Sequence, residues 1–312
     1  MEQPKADHPA QGTCVGYEIR SPLTFHTLRS GGRSSDPIHI VEEGHVAPRG
    51  EVVATWPARP GNPFEGRLLQ DGGRYAFWAS DAGWYRVDPA RKLIILSETA
   101  EPVRREVRLF GVPTAVCAFE DGDISIHASG VEVNGQAVLL AGPTKFGKTT
   151  LAGAFARAGH RLLTEDTTRC ITAGAPAIFP GPAVLRLRSD VAEWLRIPGA
   201  RPAGSEKDRV SLVFDERLRG SGGAVPLRAI LLLRKTTDRP TLRTIPAVEA
   251  VREVFGLTFW LPTDAFRAAA FRRIADVVVS VPTFALHRPL TMDSLPEVVA
   301  LVEDQLSGRA IS

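Results

Sequence analysis

The chain has 312 residues, 44% hydrophobic and 23% charged, an ordinary balance for a globular protein with a sizeable core in one large or two modest domains. A formal net charge of only +3, with acids and bases mixed along the chain, excludes the concentrated basic footprint of a nucleic-acid binder. Cys14, Cys117 and Cys170 form no disulfide or metal-knuckle pattern, and apolar runs such as Ala229 to Leu233 fall far short of the ~20 residues that span a bilayer, so a reduced, cytoplasmic protein without a membrane partner is expected.

Residues 1–16 read as a loose polar tail, and Met1 to Gln11 carries no apolar signal region. From Tyr17 to about Ser97, short β-type runs alternate with turn signals such as Asp71-Gly72-Gly73. The runs are Pro37 to Val41, Gly50 to Trp56, Arg74 to Trp78, Trp84 to Val87 and Lys92 to Leu96. They predict a small β-rich domain over 1–102 with Trp56, Trp78 and Trp84 in its core. A helical link follows over Val107 to Phe119.

The remaining residues, 103–312, read as an α/β domain. Asn134-Gly135 between apolar runs predicts a hairpin leading into the strand Gln136 to Ala141. That strand enters Gly142-Pro143-Thr144-Lys145-Phe146-Gly147-Lys148-Thr149, and a helix from Lys148 to Ala158 leaves it, stopped by Gly159. A strand over His160 to Thr164 ends in Glu165-Asp166. Downstream, Ala183 to Leu187, Leu227 to Leu233 and Asp276 to Val281 read as strands, with a flexible Gly220 to Gly223 turn between the first two. Pro246 to Gly256, Thr263 to Ala275 and Ser294 to Leu306 read as helices, and the basic stretch Arg267 to Arg273 as a wet helix face.

Four features bear on chemistry. The pattern G-x-x-x-x-G-K-[ST] between strand and helix is a phosphate loop: its glycines let backbone N–H groups point inward, and the helix N-terminus adds positive potential. Gly142 to Thr150 would then cradle the phosphates of ATP, Lys148 would hold the β/γ-phosphates, and the Thr149 hydroxyl would ligate Mg²⁺. The helix carries the chain away from the loop and the next strand climbs back, so Glu165 and Asp166 are expected beside the phosphates, where carboxylates hold Mg²⁺ or take a proton from an attacking hydroxyl. His127 lies just before the hairpin and has the pKa range for proton transfer. Lys207 and Arg209 follow Gly204-Ser205 as cations able to neutralise a transferring phosphate or to face solvent.

The stretch Ser125 to Asp166 resembles HPr kinase/phosphorylase and the wider family of HPr-kinase-like serine kinases. The resemblance rests on Ser125-Ile126-His127, the loop Gly142 to Thr149, Gly159-His160-Arg161-Leu162 and Glu165-Asp166 at matching spacing. The β-rich front half resembles the kinase-like members found beside lasso-peptide biosynthesis genes, which phosphorylate a serine on the precursor peptide. The resemblance implies a nucleotide-binding core of the phosphoenolpyruvate-carboxykinase type and a serine kinase using ATP and Mg²⁺. It gives Asp166 the role of deprotonating the acceptor serine, His127 that of the active-site histidine, and Lys148, Thr149 and Glu165 nucleotide and metal roles. The implied partner is a peptide or small protein bearing the acceptor serine, with homo-oligomers as in related enzymes. Two departures stand out: Lys145-Phe146 occupies positions where relatives carry small residues, often glycine. An acidic-Arg-Gly segment is replaced by Leu185-Arg186-Leu187-Arg188, which counts against a bifunctional HPr kinase/phosphorylase. A non-catalytic nucleotide-binding regulator is the remaining alternative.

Overall fold

Burial alternates along the front of the chain: Tyr85 and Val87 point inward while Trp84 and Arg86 stay half-buried, the period of two that a one-sided sheet requires. The computed structural model describes residues 8–31, 37–44, 48–58, 63–97, 100–206, 208–259 and 264–307. Within them, β1 (Ala10–Cys14), β2 (Tyr17–Arg20), β3 (Ile38–Glu42), β4 (Glu51–Trp56), β5 (Gly66–Asp71), β6 (Arg74–Ala79), β7 (Gly83–Asp88) and β8 (Leu93–Leu96) form one sheet in the order β1-β2-β3-β8-β7-β6-β5-β4. Its core of Tyr17, Ile19, Ile38, Ile40, Leu68, Phe77 and Tyr85 is closed by α1 (Pro102–Leu109) and α2 (Val112–Glu120) through Leu109, Val116 and Cys117.

Three expectations change here. The segment read as a loose tail contains β1, paired with β2, and its last residue Cys14 is fully buried. The helical link is two helices, α2 starting afresh after Gly111 with Pro113 in its first turn, where proline is tolerated. The three tryptophans are half-buried rather than central. Trp78 and Trp84 are opposite in register and out of phase with the inward Phe77 and Tyr85, so they share the outer face, where the Arg67 guanidinium stacks 4.7 and 5.6 Å from their rings. Trp56 meets Phe77 edge-on at the rim.

The second sheet begins with β9 (Ile124–Ile126), β10 (Ala128–Val133) and β11 (Gln136–Ala141). Asn134 and Gly135 join β10 to β11 with φ of 52° and 76°, the two positive values a two-residue primed turn needs. After β11 come α3 (Lys148–Arg157), β12 (Arg161–Thr164), β13 (Thr168–Ile171), β14 (Ala177–Phe179), β15 (Val184–Arg188), α4 (Ser189–Leu195), β16 (Ala200–Glu206), β17 (Arg209–Phe214) and α5 (Glu216–Arg219). The chain closes with β18 (Val225–Lys235), β19 (Thr241–Thr244), α6 (Ala247–Gly256), β20 (Thr258–Phe259), α7 (Asp264–Ser280), β21 (Thr283–Arg288) and α8 (Leu295–Leu306). The strand order is β12-β10-β11-β18-β14-β13-β9-β20, with β21 on β18 and β19 on β21, while β15-β17-β16 form a small separate sheet.

β11 is apolar from Ala137 to Ala141 because both of its faces are covered there. Val138 and Leu140 join Leu151 and Phe155 of α3 and Val298 and Val302 of α8; Ala137 and Leu139 join Val254 of α6 and Ile274 and Val277 of α7. The predicted strand over Asp276 to Val281 is instead the end of α7, which runs through Ser280, with Val281 just beyond it. Ala270, Ile274, Val277 and Val278 are buried at helical spacing, and that packing outweighs the few tenths of a kcal/mol by which β-branched residues disfavour a helix. The Gly220 to Gly223 turn is docked rather than loose, the Gly222 N–H donating to the Ser30 carbonyl at 3.3 Å. Arg267 and Arg272 of the basic stretch are exposed as expected, whereas Arg273 reaches the carbonyls of Phe119 and Asp123. No helix among the described residues is long and apolar enough to cross a membrane.

Candidate active site

The apolar strand β11 stops at Ala141, and the glycine-framed loop turns the chain into α3. Gly142 has φ 150° and approaches β18 so closely that a Cβ would lie 3.4 Å from that of Leu233. Gly147 has φ 77°, and a Cβ there would sit 2.2 Å from Nη2 of Arg288. Gly147 also starts α3 with no side-chain cap, leaving first-turn N–H groups of a ten-residue helix available to an anion. Lys145 adopts φ 69°, a left-handed conformation that glycine takes without strain and other residues seldom adopt.

Pro143, Thr144 and Lys145 are exposed at the loop's crest, and Thr149 and Thr150 are half-buried in the first turn of α3. The Phe146 side chain packs against the core under the loop, with Lys235 Nζ 4.6 Å from its ring centre. Lys148 is buried and folded back, Nζ donating to the carbonyls of Gly142 at 2.7 Å and Pro143 at 3.3 Å. Burial holds its pKa below the usual lysine value, partly offset by the charge of Asp166.

Register brings the acidic pair to this loop. β11 and β12 both run antiparallel to β10, so they point the same way and end at one edge, with β10 between them. Ala128 pairs with Ala141, and Gly130 with Thr164, so Asp166, two residues further on, comes level with the start of β10, where His127 stands. His127 Nδ1 lies 3.1 Å from Asp166 Oδ1 and 3.0 Å from the Asp166 carbonyl oxygen. The Ser129 hydroxyl donates to the Glu165 carbonyl, and Thr168 Oγ1 bonds to Thr164 Oγ1 at 2.5 Å and donates to the Ala128 carbonyl at 3.0 Å, which fixes the turn after β12.

The electrostatics separate the two carboxylates. The Asp166 side chain is 63% exposed. Enclosure by neighbouring atoms works against its charge, but the hydrogen bond and charge of His127, helped by Arg108 and Lys148, outweigh that and hold the carboxyl well below the usual range. Burial likewise works against the His127 imidazolium, and the contacts with Asp166 raise its pKa in spite of that and of the nearby Lys148. Glu165 is pushed up to about 7, by burial first and by the charge of Asp166, against the lowering influence of Arg186 and Arg209. One carboxylate is thus firmly ionised and the next is poised near neutrality, the separation that assigns different roles to adjacent acids.

Among the described residues no cluster of three or more His, Cys, Asp or Glu side chains could hold a metal. The oxygen donors on offer are the carboxyls of Glu165 and Asp166 at this edge and the Thr149 hydroxyl on α3. They fit Mg²⁺, which takes one or two protein ligands and completes its shell with phosphates and water. Of the two cations expected downstream, Arg209 is exposed on β17, where its charge reaches Glu165, and Lys207 lies outside the described residues.

Sequence reasoning missed two buried arginines and one ion pair at this site. Arg29, only 1% exposed, extends under β12 from the segment between β2 and β3: Nη2 donates to the carbonyls of Leu162 and Leu163, both at 2.9 Å, and Nε to that of Gly181 at 2.8 Å. Arg288 lies under the glycine-framed loop, against the carbonyls of Phe146 and Gly147. Arg108, whose charge reaches Asp166, is held by Asp81 through Nε–Oδ1 and Nη2–Oδ2 contacts of 3.0 and 2.8 Å, with Phe64 3.9 Å from its guanidinium carbon. Arginine reads as a surface residue in a sequence, and no local pattern marks these.

No family model matches the chain, and no curated protein matches it. Among solved structures, it is similar to the Hpr(Ser) kinase/phosphatase from Coxiella burnetii. The two are 14% identical with a TM-score of 0.32, over 58% of this chain and 89% of that one.

Proposed function

We propose that this chain is a Mg-ATP-dependent kinase that transfers the γ-phosphate to a serine hydroxyl of a peptide or small protein. The observation that carries this reading is the His127–Asp166 pair at the strand edge that also carries the phosphate loop and Lys148. The uncapped start of α3 and Lys148 bind the phosphates, with Thr149 and Glu165 as the protein's metal ligands. Mg²⁺, when bound, supplies charge neutralisation at the β/γ-oxygens. The acceptor oxygen attacks the γ-phosphorus, the bond from that phosphorus to the β,γ-bridging oxygen breaks, and ADP leaves. The hydroxyl proton passes to Asp166, which His127 orients. The low basicity of Asp166 suits a loose transition state, in which the proton moves late, once phosphoryl transfer has begun to acidify the hydroxyl.

The resemblance of Ser125 to Asp166 to HPr-kinase-like serine kinases supports serine as the acceptor, and that of the front half supports a ribosomal precursor peptide as substrate, in the cytoplasm. A test is transfer of labelled γ-phosphate to a precursor peptide, to HPr and to buffer, with wild type and Asp166→Asn. Label on the peptide that vanishes in the variant supports the proposal. Label on HPr would favour the bifunctional HPr enzyme, and no label on any acceptor would sink the kinase reading.

One observation favours a second reading. Lys148 is bonded to the loop's own carbonyls, a self-satisfied arrangement compatible with a nucleotide-binding regulator that does not turn over. In that case Asp166→Asn would leave the protein's behaviour unchanged while Lys148→Ala removed nucleotide binding.

A further inference from the structure

Arg288, the last residue of β21, is 2% exposed and among the largest fully buried side chains of the chain. Its guanidinium meets only carbonyl oxygens: Nη1 donates to Pro289 at 3.1 Å, and Nη2 to Phe146 at 3.3 Å and Gly147 at 3.2 Å. Nε has no partner, and no carboxylate among the described residues pairs with it. Burial pushes its pKa down to about 10, so it stays charged at neutral pH. A buried charge without a counter-charge is costly, and natural cores seldom retain one.

What it touches gives the charge a purpose. In a trans peptide the C=O and the following N–H point in opposite directions. Holding the Phe146 carbonyl aims the Gly147 N–H away from Arg288, and holding the Gly147 carbonyl does the same for the Lys148 N–H. These are the two amides where the loop becomes α3, and Gly147, at φ 77°, can accept that geometry. The Gly147 carbonyl also accepts from Leu151 N at 2.9 Å, so the helical turn and the arginine fix the same peptide. The other cations around the loop, Lys145, Lys148 and Lys235, add to a local excess of positive charge, with Asp166 the acid whose charge reaches Lys148.

We propose that Arg288 is a positioning residue of the phosphate site: it holds the Phe146-Gly147 and Gly147-Lys148 peptides with their N–H groups facing the phosphates, and the polyphosphate is the counter-charge it lacks. This rests on the nucleotide-binding reading of the loop given above. It concerns affinity for the phosphate chain and is independent of whether Asp166 turns over.

The test is calorimetric binding of tripolyphosphate and of Mg-ATP to wild type, Arg288→Lys and Arg288→Met, well below each protein's melting temperature. Amide spectra would follow Gly147 and Lys148 during the titration. Losing a residue that orients metal ligands typically costs about ten- to hundred-fold in affinity, and the same order is expected for one that orients phosphate-binding amides. Arg288→Met is expected to weaken tripolyphosphate by that order and to abolish the shift of the two amides. Arg288→Lys, which keeps the charge but loses the two-carbonyl fork, is expected in between, and it carries the test if the methionine variant does not fold. A folded variant of lower melting temperature with wild-type affinity and unchanged amide shifts would reduce Arg288 to a structural part and overturn the proposal. If wild type itself binds neither probe, the nucleotide-binding reading fails first.

Discussion

His127 Nδ1 sits within 3.1 Å of the Asp166 carboxylate and 3.0 Å of the Asp166 carbonyl, so one residue grips the imidazole from both main chain and side chain. The contact commits the Nδ1 proton to Asp166 and leaves Nε2 to a ligand. A general base contributes roughly 10²–10⁴-fold to such a transfer. Asp166→Asn is therefore expected to lower kcat by that order while nucleotide affinity changes only a few-fold, measured by single-turnover transfer beside equilibrium binding. A parallel collapse of nucleotide affinity would move Asp166 from proton transfer to binding.

Lys145 offers an inverted glycine prediction. A side chain at positive φ costs about 1–2 kcal/mol, and glycine loses about 0.5–1 kcal/mol through unfolded-state entropy. At φ 69° the first effect wins, so Lys145→Gly should raise stability by up to about 1 kcal/mol in denaturant unfolding. A fall of that size would mean that the Lys145 side chain contributes more than its strain costs.

Gly147 should tolerate nothing larger. Alanine there meets a strained φ and also an arginine nitrogen 2.2 Å from its Cβ. Gly147→Ala should lose nucleotide binding even where the protein still folds, because relief requires moving either the loop or Arg288. Binding at wild-type affinity would contradict the close packing described.

The Asp81–Arg108 pair gives a pH signature. Burial works against the Asp81 carboxylate, but Arg108 outweighs it and lowers the pKa below its ordinary value. A carboxylate with a depressed folded pKa contributes stability above its unfolded pKa of about 3.9 and loses it as pH falls through the folded value. The stability gap between wild type and Asp81→Asn should then be about 1–3 kcal/mol and flat from neutrality to about pH 5, shrinking below about pH 4. Urea unfolding across that range would show it; a gap that persists at pH 2 would have a cause other than the charge.

The glycine-framed loop between β11 and α3, the Asn134-Gly135 hairpin, α3 itself and the arrival of Glu165-Asp166 at that edge were legible because each is written in neighbouring residues. The edge shared by β11 and β12 follows from helix length and strand return, although the interposed β10 does not. Val277 to Val279 misled because local β-propensity points to a strand, while the decisive pattern, burial at Ala270, Ile274 and Val277, belongs to the longer helix. Short strands such as β13 and β14 pair with each other but are also held by β9 and β18, which are remote in sequence, and so leave little local trace. Arg29 and Arg288 were invisible because their burial depends on carbonyls more than a hundred residues away.

Arg29 has a wider consequence. Its guanidinium belongs to the front of the chain, yet it clasps the carbonyls of Leu162 and Leu163, the residues that deliver Asp166 to the loop. Severing the first sheet would strip those carbonyls of their donor at the moment the strand most needs its position. The front of the chain thus helps to hold the edge where Asp166 sits: an excised back half would keep the loop and the acidic pair without that anchor, and the two sheets should melt together in a single transition.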